Sequence, residues 1–194
     1  MDRRRVLHVL GTSALVGPAL APVAPSRLAA LAARAEGRVL TVLSPAQAAL
    51  VAELGELILP ETDTPGARAA GVERFVDLML AEQVDEPARA EFLAFLGGIE
   101  AEGGSRFGRP FLSATPAERH VLAAGRDAAA FAPLPEGSPE PADAADRRGW
   151  KRLKSWVLAG YYTSKVGAER ELRLRIIPGS FDGCAPLRPA EDGR

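Results

Sequence analysis

Residues 43–80, "LSPAQAALVAELGELILPETDTPGARAAGVERFVDLML", hold two helices separated by a turn that neither helix can absorb. Ser44-Pro45-Ala46-Gln47 opens the first. A serine hydroxyl can cap, a proline suits the first helical position, and glutamine three residues on completes a capping box. Leu50, Leu54, Leu57 and Ile58 then fall on one face, and Pro60 ends the run. Residues 60–71, "PETDTPGARAAG", contain two prolines, two glycines, two threonines and an aspartate. Such a mixture predicts an ordered turn, with Pro60, Thr62, Asp63, Pro65 and Gly66 as its structural residues and the Asp63 side chain as its cap. The helical period resumes with Val72, Phe75, Val76, Met79 and Leu80, leaving Glu73, Arg74 and Asp77 outside the stripe.

The same grammar continues along the chain. Pro87 opens a helix carrying Phe92, Phe95, Leu96 and Ile99, and Gly103-Gly104 is expected to stop it. Thr115-Pro116-Ala117-Glu118 repeats the cap signature of Ser44 and predicts a helix with Val121, Ala124, Ala128 and Phe131 facing inward. Residues 132–146, "APLPEGSPEPADAAD", hold four prolines and read as a surface linker. The last helix is expected from about Arg147 to Val166, with Trp150, Leu153, Val157 and Tyr161 on one face and Trp156 near its edge. A weak alternation at 171–177, "ELRLRII", is the one trace of strand pattern, and residues 178–194 read as an extended C-terminal arm. The expected architecture is all-α: a single small domain of about five helices, residues 36–177, followed by the arm. An aromatic content of 6% and abundant alanine favour small-residue helix packing over a β-sandwich.

The first 35 residues have the layout of an export signal. Arg3, Arg4 and Arg5 precede an apolar stretch from Val9 to Ala24 that is broken by Pro18 and Pro22. That stretch is shorter than the roughly 20 residues a bilayer span needs. "DRRRVLH" resembles the twin-arginine motif, with Arg3 and Arg4 as the pair and Val6 and Leu7 as the apolar pair. That pathway carries folded proteins, so a periplasmic location is expected. The alternative is a frayed alanine-rich helix on a soluble protein. Residues 1–35 hold five arginines and one aspartate, so the remainder carries a net charge near −5 rather than −1. A chain of that charge has no field attracting nucleic acid over its whole surface.

Chemistry is sparse. Beyond the leader there is one histidine, His120, and one cysteine, Cys184, whereas a zinc site needs three or four ligands. The chain lacks C-x-x-C-H, G-x-S-x-G and a Walker loop, and its Gly97–Gly108 cluster follows a helix rather than a strand. Glu61 and Asp63 are close in sequence, but turn formation explains them better than acid–base work. No catalytic, cofactor-binding or metal-ligating residue is assigned. Arg147, Arg148, Lys151, Arg152 and Lys154 crowd the start of the last helix, where cations oppose its dipole. They form either a solvated face or a contact for an acidic partner. Trp150 lies in the same run, and Trp with Arg is a frequent pairing at interfaces, although core packing explains at least one of the two tryptophans better.

Taken together these residues resemble the gluconate 2-dehydrogenase subunit 3 family. The carrying segments are Pro60 to Ala67 with Ala70-Gly71-Val72 and Phe75, then "GYYTSKVG" at 160–167, then "PGSFDGC" at 178–184. The Pro-rich linker departs from the pattern. The resemblance implies a non-catalytic small subunit of an exported FAD-dependent sugar or sugar-acid dehydrogenase. Its partner would be a large flavoprotein of the glucose-methanol-choline type that holds the FAD, with a multihaem cytochrome c subunit as electron acceptor. The small subunit would engage the twin-arginine translocase and help the flavoprotein mature. Arg148, Trp150, Arg152 and Phe181 are then interface candidates. Cys184, an odd cysteine in an oxidising compartment, is a candidate for a disulfide to the partner, with a buried inert thiol as the alternative. A stand-alone periplasmic binding or structural module is the alternative functional reading, and a stand-alone enzyme using Asp63, Glu61 or His120 is a third.

Overall fold

Ser44 caps a helix as its sequence context requires. Its hydroxyl accepts from the Gln47 N–H at 3.2 Å, and the Gln47 side chain accepts from the Ser44 N–H at 2.9 Å. The computed structural model describes residues 39–133 and 139–174. Helix α1 spans Pro45–Ile58, the single turn α2 Ala67–Ala70, α3 Val72–Glu82 and α4 Glu86–Phe107. A 3-10 turn at Phe111–Ser113 leads into α5, Pro116–Phe131. Helix α6 runs Ala144–Thr163 and is followed by a π-helical turn, Gly167–Glu171. Among the described residues there is no strand. The all-α expectation holds, and each of the five long helices read from the sequence is present.

Helix α6 is the hub, packing against α1, α3, α4 and α5. Its face Trp150, Leu153, Val157 and Tyr161 is buried as the period predicts, and Trp156 joins it. An aromatic cluster ties α6 to α4. The Phe92 ring lies 5.2 Å from Trp156 and 5.7 Å from Phe95, and Phe95 meets Trp150 edge-on at 6.5 Å. Those spacings suit tilted aromatic pairs. The close approach depends on Gly149, because a Cβ there would come within 2.4 Å of the Phe95 ring.

Several expectations are corrected. Gly103-Gly104 does not stop α4. The helix continues to Phe107 and ends at Gly108, which has φ 67°. Gly103 serves packing instead, since a Cβ there would meet the Phe111 backbone at 2.7 Å. Helix α6 begins at Ala144, so the last three residues of the Pro-rich segment are helical. Within "ELRLRII", residues 171–174 are not strand. Residues 134–138 of the linker and the whole C-terminal arm lie outside the described residues.

The largest correction concerns α5. Val121 and Phe131 are each 54% exposed, and Ala124 and Ala128 are exposed with them. The inward face is instead Arg119, Leu122, Ala123, Arg126 and Ala130, a regular i, i+3, i+4, i+7, i+11 stripe. Two of its members are arginines whose guanidinium groups reach partly exposed carboxylates. Arg119 pairs with Glu53 of α1, and Arg126 pairs with Glu102 at 2.7 Å and Asp146 at 3.3 Å. A search for apolar residues alone passes over such a stripe, because arginine stems can pack while the heads remain paired.

Asp77 was expected outside the core stripe of α3, yet it is 4% exposed. Its carboxylate accepts three backbone N–H groups: Thr41 at 2.7 Å, Val42 at 2.9 Å and Leu43 at 2.7 Å. A buried carboxylate is tolerated when its oxygens are so filled. The bonds fix the segment that feeds α1 onto the side of α3.

Candidate functional site

The turn at 60–71 and the end of α6, far apart in sequence, meet in space. The Tyr161 hydroxyl donates to the Pro65 carbonyl at 2.8 Å, a contact across 96 residues. The Thr64 hydroxyl donates to Glu171 of the π-helical turn at 2.7 Å. Beyond Tyr161 the helix ends at Thr163 and Ser164 is its C-cap. The Ser164 hydroxyl donates to the Tyr161 carbonyl at 2.6 Å and accepts from the Gly167 N–H at 3.0 Å. "PETDTPGA" and "GYYTSKVG" are therefore two halves of one structure.

Glu56, a residue the sequence reading did not single out, organises the turn. One of its carboxylate oxygens accepts from the Glu61 N–H at 2.8 Å and the other from the Arg68 N–H at 2.9 Å. Gly66 lies against this carboxylate. A Cβ on Gly66 would stand 2.3 Å from Glu56 Oε1 and 2.6 Å from the Glu61 nitrogen. Hence the turn needs glycine there for space rather than for backbone freedom. Asp63 does not cap the backbone: its carboxylate accepts from the Thr62 hydroxyl at 3.0 Å at an exposed position. The signal for Glu56 was available in principle, as a glutamate one turn before the helix-ending proline. Its partners, however, lie five and twelve residues ahead, beyond local capping rules.

The basic face of α6 is largely matched from within the chain. Arg148 donates to Glu91 at 3.0 and 3.2 Å and also pairs with Glu140. Those bonds hold the Glu91 carboxyl below the usual carboxylate range and raise Arg148 above its ordinary value. Arg147 pairs with Asp143 at 3.1 Å, and Arg152 donates to the Ala88 carbonyl at 3.2 Å with its guanidinium 5.8 Å from the Trp156 ring. Asp127 accepts from both the Trp150 indole at 2.8 Å and Lys154 at 2.7 Å. Burial pushes the Asp127 carboxyl up, but the two hydrogen bonds and the Lys154 charge outweigh it and leave it lowered. Trp150, 2% exposed, is withdrawn from the interface candidates: its ring is core and its indole N–H is taken. Arg148 remains about half exposed. Arg3, Arg4, Val6, Leu7, Phe181 and Cys184 lie outside the described residues.

His120 is exposed. Among the described residues, no group of three or more His, Cys, Asp or Glu could hold a metal ion, and no helix is long and apolar enough to cross a membrane.

A family profile, gluconate 2-dehydrogenase subunit 3, matches residues 45–179. The chain belongs to that family. The match begins at the first residue of α1 and runs past the π-helical turn, so it takes in both halves of the locked turn. No curated protein and no solved structure matches the chain. In this subunit 3 chain the polar clamp around Pro65 accounts for why turn and helix-end segments go together.

Proposed function

We propose that the chain is the non-catalytic small subunit of an exported FAD-dependent sugar or sugar-acid dehydrogenase. The observation that carries this reading is the family match over residues 45–179, which spans nearly the whole helical body. Its role is to bring the twin-arginine signal, Arg3 and Arg4 with Val6 and Leu7, and to assist maturation and assembly of a large glucose-methanol-choline type flavoprotein. FAD and the sugar chemistry belong to that partner, and a multihaem cytochrome c subunit takes its electrons. The assembled complex resides in the periplasm. Cys184 forms a disulfide to the large subunit.

The reading is tested by exchanging Arg3 and Arg4 for lysine in the native host. Dye-linked dehydrogenase activity is then expected to leave the periplasmic fraction together with this chain. Unchanged periplasmic activity would refute the carrier role. Non-reducing electrophoresis of the native complex tests the tether: a band at the summed mass that collapses on reduction is expected, and mobility indifferent to reductant would remove it.

A further inference from the structure

The C-terminal end of α5, at Asp127 and Phe131, borders a groove shared with α6. Phe131 and Leu158 form its apolar floor, Lys151 and Lys154 stand over it, and its volume is about 490 Å3. Val121 and Phe131 on α5, and Leu158 and Tyr162 on α6, are between one third and just over one half exposed. Of these, Phe131 and Leu158 come together on the groove floor, one from each helix, and an apolar floor rimmed by polar groups is the form of an interaction site. The two lysines are placed differently. Lys154 is committed to Asp127 at 2.7 Å. Lys151 lies 5.6 Å from the Phe131 ring centroid, and among the described residues no carboxylate pairs with it. Of its neighbours on the same helix, Arg147 pairs with one carboxylate and Arg148 with two.

We propose that this groove receives an acidic amphipathic helix of the large partner subunit. The proposal rests on the small-subunit reading above. A trough between two helices suits a third helix laid along it, with apolar anchors at one-turn spacing. Such a helix would set an aliphatic or aromatic side chain against Phe131 and Leu158 and a carboxylate against Lys151. Lys151 supplies the charge complementarity that selects an acidic occupant. Helix α5 thus divides its work: the arginine stripe holds the fold and Phe131, at its end, meets the partner.

The test places a photoreactive phenylalanine analogue at position 131 of the full-length chain, expressed in its native host. Irradiation of the purified complex is expected to join it to the large flavin-containing chain, on a peptide rich in Asp or Glu. Phe131→Ser is expected to weaken flavoprotein retention by about thirtyfold, and Lys151→Glu by about tenfold, the range of buried and rim contacts at interfaces. Both sites are exposed, so an unchanged melting temperature of the isolated variants serves as the folding control. A cross-link to a second copy, or to residues 175–194 of the same chain, would overturn the proposal. So would a flavoprotein complex that forms normally in both variants without a cross-link at 131, and that outcome leaves the small-subunit reading intact. If the wild-type chain brings down no flavoprotein, both fall together.

Discussion

The 60–71 turn and the α5–α6 groove invert what their compositions imply. The turn is rich in Pro, Gly, Thr and Asp, yet it is tied at Pro65, Glu61, Arg68 and Thr64 to partners on three other segments. The groove has Phe131 and Leu158 for its floor, yet these apolar side chains stand in the open. Polarity decides whether a residue can be solvated, whereas partners decide whether it is held. In the turn every polar group that matters has a specific acceptor or donor. In the groove Phe131 meets the Lys151 and Lys154 ammonium groups, at 5.6 and 4.9 Å, and stays half exposed, which is the basis of the docking proposal.

That contrast can be broken by mutation, and the largest effect is expected in the polar half. Asp77→Ala leaves three backbone N–H groups without an acceptor and should destabilise the isolated chain by about 3 kcal/mol, read from urea unfolding. A loss well under 1 kcal/mol would mean that water replaces the carboxylate freely. Gly66→Ala forces the Glu56 carboxylate off the turn and should cost about 2 kcal/mol, within the range for overpacking. Glu56→Ala in the same background should then cost little more, because the two changes break the same contact. Tyr161→Phe removes only the hydroxyl donated to Pro65 and should cost about 1 kcal/mol.

Acid titration sharpens the comparison at the basic face. Glu91, Asp127 and Glu118 all have carboxyl groups lowered in the folded chain. For Glu118 the leading cause is the bond from the Thr115 backbone N–H, followed by that from the Thr115 hydroxyl. A group lowered by folding contributes stability above its unfolded value and loses it as pH falls through the folded one. The melting temperature should therefore hold from about pH 7 to pH 5 and fall below about pH 4, where such carboxylates protonate. A decline already evident between pH 7 and 6 would point to other groups. Smallest of all, Val121→Ser should shift stability by no more than about 0.5 kcal/mol, the usual limit for an exposed site. A loss of 2 kcal/mol or more would show that the stripe is packed after all.

The helices were legible because their ends carry local chemistry. Ser44 with Gln47 and Thr115 with Glu118 cap in the structure as their spacing dictates. The α6 face was legible too, since Trp150, Leu153, Val157 and Tyr161 keep one helical period over three turns, while Leu158 and Tyr162 make only a single i, i+4 step. Helix α5 offered two stripes, and the apolar one was chosen over the one containing Arg119 and Arg126. Their carboxylate partners, Glu53, Glu102 and Asp146, lie on other helices, so no local rule exposes the pairing. The same holds for Glu56 and Asp77. Each is a carboxylate whose acceptor role appears only once distant backbone N–H groups arrive. The stop of α4 was misplaced because Gly103 is a packing notch and Gly108 the actual cap, and the two have the same letter.

Membership of the subunit 3 family makes the chain a piece of something larger, and the open groove agrees with that. The most direct measurement is the mass and flavin content of the full-length chain isolated with a C-terminal tag from its native host, by light scattering with absorbance at 450 nm. A particle heavier than the chain, carrying about one flavin per copy in a second, larger polypeptide, is the predicted result. A flavin-free particle with the mass of the chain alone, stable through purification, would contradict the account.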